Sequence, residues 1–280
     1  MNTAATIIIV AVSLGLLTPS TSRGQQDSLS AAAIDSCRHS FGVVVGFNDV
    51  HQKDEYLSPM IFSNTFYAVG ISYESKTLTN RHAIEASYGS GRLDSDIQPR
   101  DVFAYVGYFS YAYTHVVDTW NIGGNPLAVS LGAGLSTFVT YTDFNATDKL
   151  YNVTTYDQSW YWAHAVDFRL RGEYSLGGER SISFQLAAPL AQLVSRPGNG
   201  HYFNNRNVEV QKNFLNAATQ GKLEFLWGNV AILGECEYRH RIIEHLDVRG
   251  IYRFRYASSD RPLPFGMYMN TVVIGLLWVI

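Results

Sequence analysis

Two cysteines in 280 residues are too few to staple a disulfide-built scaffold. Charge is scarce as well: 16% of the residues are Asp, Glu, Lys or Arg, and the net charge of −3 offers no basic footprint for nucleic acid. Beyond residue 25 no apolar run approaches the ~18 residues that mark a membrane-spanning helix. The longest, "VVIGLLWVI", is the C-terminus itself. Phosphate-cradling, zinc-protease, dithiol and nucleophile-elbow motifs are all missing, and "YGSGRLDS" lacks the third glycine of a dinucleotide fingerprint. No cofactor and no metal are expected. No Pro/Gly/Ser-rich linker divides the chain, which favours one domain.

What is abundant is aromatic and small: 18 Tyr, 15 Phe and 23 Gly. The first segment stands apart. "TIIIVAVSLGLL" (6–17) is too short to span as a helix, and Ser22 and Gly24 sit at the small-residue positions of a cut before Gln25. Residues 1–24 are therefore expected to be an export signal, 25–38 a periplasmic N-terminal segment and 39–280 the folded domain. Export without a helical anchor leaves a secreted soluble protein or an outer-membrane barrel. Cys37 and Cys236 could pair in an oxidising compartment, although Cys236 reads as outward-facing in mid-strand.

From residue 40 onward the pattern has period two. Strands are expected at 40–50, 65–76, 81–93, 101–117, 127–144, 161–176, 180–194, 212–227, 230–245 and 265–280. One face carries Phe41, Val43, Val45, Phe47, Phe168, Phe184 and their like; the other carries Gly42, Ser72, Glu74, Glu85, Gly134, Arg169 and Arg171. Connections alternate between short (77–80, 177–179, and "GN" at 228–229 as a hairpin turn) and long (51–64, 145–160, 195–211), with 118–126 in between.

Bulky apolar residues on one face with glycines and ion-pairing residues on the other suit a barrel whose outside meets lipid and whose lumen holds the charges. A soluble sandwich would need the reverse. The fold expected is all-β, an antiparallel transmembrane β-barrel of about ten strands. Twelve is the alternative, because polar residues fill odd positions from 230 to 257, a stretch too long for one strand. From about residue 39 the chain resembles Gram-negative outer-membrane β-barrel proteins. In that superfamily the last strand is the assembly signal, ending on an aromatic; Val272, Ile274, Leu276 and Trp278 match, and Ile280 departs. The resemblance implies outer-membrane lipid and the assembly machinery as partners, with short turns and both termini in the periplasm. Trp227 and Trp278 would join the periplasmic girdle, and Trp160 and Trp162 the outer one.

The candidate site is a lumen charge cluster of Asp167, Arg169, Arg171, Glu173, Glu224, Glu235, Glu237 and Arg239. Paired, these charges fill a narrow barrel; arranged as a constriction, they would select ions. The function expected is structural, surface-binding or narrow-pore. One alternative is a barrel hydrolase acting on lipid or peptide at the extracellular rim, with His245 and Asp247 as its residues. A second is a secreted soluble β-sandwich that binds a ligand. His240 and His245, five apart on a strand, point to opposite faces and make no ligand pair.

Overall fold

The computed structural model describes residues 37–55, 58–95, 101–148, 153–197, 221–225, 229–260 and 264–280. The expected signal peptide and most of the N-terminal segment lie outside them. No described helix is long and apolar enough to cross a membrane.

Eleven strands follow in order: β1 (Arg38–Asp54), β2 (Ser58–Lys76), β3 (Asn80–Leu93), β4 (Asp101–Ile122), β5 (Asn125–Asp148), β6 (Val153–Gly177), β7 (Arg180–Ser195), β8 (Lys222–Phe225), β9 (Asn229–Ile243), β10 (Leu246–Ser259) and β11 (Phe265–Val279). All pairings are antiparallel. β1 lies between β2 and β11, and the β6–β7 pairing joins the two ends of the sheet. The result is a closed barrel with ten strands around the ring. Each of the ten ring strands is paired on both sides over part of its length, and the sandwich alternative falls with that closure.

Ten is reached by a different route from the one the sequence suggests. β8 and β9 are not a hairpin about residues 228–229. Both run antiparallel to the same strand: β8 pairs with β7 from Ala191 to Val194, and β9 pairs with it from Arg180 to Ala187. Continuing the β9 register would set residue 229 opposite Ala191, where Phe225 stands, so the two pieces share one ring position with four residues in excess. A Gly-Asn pair between alternating segments marks a strand irregularity as readily as a turn. The reversal falls instead at Glu244 and His245, between Ile243 and Leu246. The register shift beside it, between Leu246 and Asp247, restores odd residues to the inside, with Arg241 facing Asp247, so the period-two pattern resumes past the turn in the same phase.

Four short turns lie at the end of the barrel where β1 begins and β11 finishes. Between β4 and β5 the reversal is Gly123–Gly124, both at positive φ (59° and 85°), which suits the twist of a two-residue hairpin. Between β6 and β7 it is Gly178 and Glu179, also at positive φ. Thr77–Thr79 and Glu244–His245 complete the set. The expected connections at 118–126 and 145–160 prove to be mostly strand, since β4 runs to Ile122 and β5 pairs with β6 as far as Asp148 and Val153.

The faces are as the alternation implies. Val45 is 56% exposed, Phe168 43% and Ile274 64%, whereas Arg169 and Arg171 are 2% and 4% exposed. Inward glycines make room for the long side chains: a Cβ on Gly134 would strike the Arg169 guanidinium, and one on Gly275 would press on Arg249. Trp278 stands outward at the end where β1 begins. Trp160 and Trp162 lie toward the other end, and Trp227 is outside the described residues.

Candidate functional site

The lumen is filled in two distinct ways along its length. In the half away from the start of β1 it holds an apolar core, including Val50, Phe62, Leu93, Val102, Met267 and Tyr161, of a kind more familiar inside soluble proteins. Tyr161 is fully buried, stacks on Phe265 (centroids 4.7 Å apart, planes at 8°) and exchanges hydrogen bonds with Asn229. Polar pairs cap this core. The Asp54 carboxylate accepts from Arg196 at 2.6 Å and from Ser159 at 2.5 Å, and Gln52 donates to Thr142. Arg196 follows the end of β7; burial lowers its pKa from the ordinary arginine value, against the opposing pull of Asp54.

Toward the start of β1 the filling changes to ion pairs, and the decisive ones cross the lumen. Arg239 on β9 reaches Glu74 on β2, Lys76 on β2 reaches Glu173 on β6, and Arg171 on β6 reaches Glu237 on β9. Deeper in, Arg253 on β10 bonds both Glu235 on the neighbouring strand and Glu85 on β3. Arg249 donates to Ser72 at 2.7 Å. Arg255 takes no carboxylate among the described residues. Its guanidinium lies 3.9 Å from the Tyr108 ring centroid and 4.3 Å from that of Phe138. Two small cavities, of about 50 and 20 Å³, flank this residue.

Seven of the eight residues singled out from sequence are carried on neighbouring parts of β6 and β9. Arg171, Glu173, Glu237 and Arg239 join the network near the start of β1, Glu235 pairs with Arg253, and Asp167 pairs with Arg169 along its own strand. Glu224 does not join them. It sits on β8 opposite Gln192, toward the other end. The sequence reading left out Glu74, Arg81, Glu85, Arg249, Arg253 and Arg255. Their inward parity was visible, but closure of the ring decides which charges meet, and a strand-by-strand reading cannot supply that.

The two residues of the hydrolase alternative lie at the end of the barrel where β1 begins. His245 is in the turn there, and the Asp247 carboxylate is held by Arg38 at 2.9 Å and Arg241 at 3.4 Å. Cys37 and Cys236 are both free and exposed. Among the described residues no His/Cys/Asp/Glu group could hold a metal ion.

An antiparallel barrel closed on itself, greasy outside and ion-paired within, is a transmembrane β-barrel. No protein-family model matches the chain, and no curated protein matches it. Solved structures that it resembles are Gram-negative outer-membrane barrels. Neisserial surface protein A shares 10% identity over 85% of this chain and 96% of its own, with a TM-score of 0.34. The attachment invasion locus protein of Yersinia pestis shares 7% over 86% and 98%, at 0.33. The transport unit of the autotransporter AIDA-I from Escherichia coli shares 12% over 98% and 97%, at 0.39. The fold assignment rests on the chain's own strand pairings.

Proposed function

We propose that this chain is an integral outer-membrane protein, exported by its first 24 residues, with a closed lumen and a structural or surface-binding role. The reading is carried by the cross-lumen bonds. Arg239–Glu74, Lys76–Glu173 and Arg253–Glu85 span between strands that are not neighbours in the ring, and together they occupy the space a pore would need. Outer-membrane lipid would contact the apolar exterior, and β11, paired with β1 along fifteen residues, would be the strand offered to the assembly machinery.

A surface role draws support from the length of the wall. β4, β5 and β6 have 22, 24 and 25 residues. At ~3.3 Å per residue and a tilt of ~40°, 24 residues rise roughly 60 Å, more than twice the ~25 Å apolar band of such barrels. One side of the barrel would then stand clear of the membrane.

The test is electrical. Protein refolded and inserted into planar lipid bilayers is expected to give no steady channel. Large, long-lived conductance steps from the wild type would reject the closed lumen and favour a pore.

A further inference from the structure

The ion-paired half of the lumen carries more cations than it can neutralise. Seven inward-facing cations lie there: Arg38, Lys76, Arg81, Arg171, Arg239, Arg241 and Arg249. Five carboxylates answer them: Glu74, Glu173, Glu237, Asp247 and, from the turn, Glu179. Glu85, the cross-strand partner of Ser72, and Glu235 are both bonded to Arg253, so with these three the count is eight cations to seven carboxylates, a surplus of one. The chain as a whole is acidic, at −3, so this surplus is local.

The cations are also graded by depth. At the mouth near the start of β1 the side chains of Lys76, Arg38 and Arg241 are 38%, 37% and 26% exposed. Arg239 and Arg81 follow at 17% and 12%, and Arg171 and Arg249 end the series, both at about 5%. At the floor the donors outnumber the acceptors. Arg171 Nε and Nη1 and Arg249 Nε are buried N–H groups with no hydrogen-bond partner among the described residues. These two residues belong to one layer: Arg171 approaches Glu237 at 3.8 Å, Glu237 bonds Arg239, and Arg239 is the cross-strand partner of Arg249. A buried guanidinium that keeps its charge needs its N–H groups met, and each one left unmet carries the desolvation penalty of a buried donor. A positively charged, low-dielectric cleft also concentrates small anions from solution.

We propose that this vestibule binds a small inorganic anion, reached from the end where β1 begins and β11 finishes and held at its floor by Arg171 and Arg249. The anion supplies the missing acceptor and offsets the excess charge. Chloride and phosphate share that chemistry, and experiment separates them. The inference concerns the lumen alone and stands whether or not the barrel conducts.

Full-length mature protein folded in non-ionic detergent would be melted in sodium gluconate, with sodium chloride or sodium phosphate substituted at constant ionic strength. A saturable rise in the midpoint is expected, roughly 5–10 °C at a hundredfold excess over Kd. A response to both salts assigns a charge-selected site, and a response to phosphate alone assigns an oxyanion site. Arg171→Gln combined with Arg249→Gln is expected to abolish the response, while Arg255→Met retains it. A midpoint indifferent to both anions, or a response that survives in the double variant, overturns the proposal. Should the double variant fail to fold, wild-type crystals soaked in sodium bromide decide. Anomalous density in contact with Arg171 or Arg249 supports the site, and none there rejects it.

Discussion

Arg239 and Glu74 meet face to face across the barrel, with the two terminal guanidinium nitrogens each 3.1 Å from one carboxylate oxygen. They come from β9 and β2, strands separated in the ring by β10, β11 and β1, so the pair ties opposite walls rather than neighbours. Arg169 is different. It bonds Asp167, two residues away on its own strand, at 3.2 Å. Arg169 is buried and Arg239 is 17% exposed at its side chain, yet only Arg239 crosses the lumen. Arg239→Ala is expected to cost about 3–5 kcal/mol, because it strips Glu74 and Glu237 of a shared partner in a poorly hydrated space. Arg169→Ala should cost less, since it leaves a single carboxylate that stays close to solvent-sized space beside it. Urea unfolding of the two variants in detergent checks the order. Equal losses would mean that crossing the lumen adds nothing.

That contrast marks how far the sequence could be read. Alternation places Phe168 outside and Arg169 inside because each strand is half in contact with oil, and this local signal survives every detail of closure. Which charges meet is not local. Glu74 and Arg239 are 165 residues apart and become partners only once the ring closes. The arginines at 249, 253 and 255 were visible as odd-position charges. With the turn at Glu244 and His245 hidden by unbroken parity, they read as part of one stretch from 230 to 257 too long for a single strand, rather than as a separate strand of the wall. Glu224 was misplaced for the related reason that β8 looked like a full strand beside β9, when it extends the same ring position toward the far end.

Orientation of the wall can be tested at one adjacent pair. Phe168 faces outward, and Arg at that position should impair insertion by about 2–4 kcal/mol if it lies near the bilayer midplane. Arg169→Gln keeps a polar group in the lumen and should insert normally. Folding yields into lipid vesicles, read by the shift in gel mobility of folded protein, measure both. A harmless Phe168→Arg beside a non-inserting Arg169→Gln would turn the barrel inside out.

Topology gives a sharper test than strand count, because the position of residue 229 has changed ends. Asn229 pairs with Ser259, next to Asp260 and away from the start of β1, whereas Glu244 sits in a turn beside it. Single cysteines at 244 and 260, in a background without Cys37 and Cys236, would be probed on intact cells with a membrane-impermeant thiol reagent. Labelling at 260 and protection at 244 are expected. The opposite pattern would place the short turns outside and reverse the proposed insertion.

Glycines in this barrel are not interchangeable, and two of them should respond oppositely to the same methyl group. Gly132 on β5 lies opposite Thr114 on β4, and a Cβ there would fall on the Tyr113 carbonyl oxygen and the Thr114 Cα. Both are backbone atoms, so the strands must separate to admit it. Gly132→Ala is expected to destabilise the barrel by about 1–3 kcal/mol, the usual penalty for overpacking. Gly250 on β10 has nothing within 4 Å of its would-be Cβ, and its φ is not in the left-handed region. There the methyl group meets open space, while alanine restricts the unfolded chain more than glycine does, so Gly250→Ala should gain roughly 0.5 kcal/mol. Denaturant midpoints for the two variants decide the matter. A Gly132→Ala barrel as stable as wild type would mean that β4 and β5 do not approach this closely.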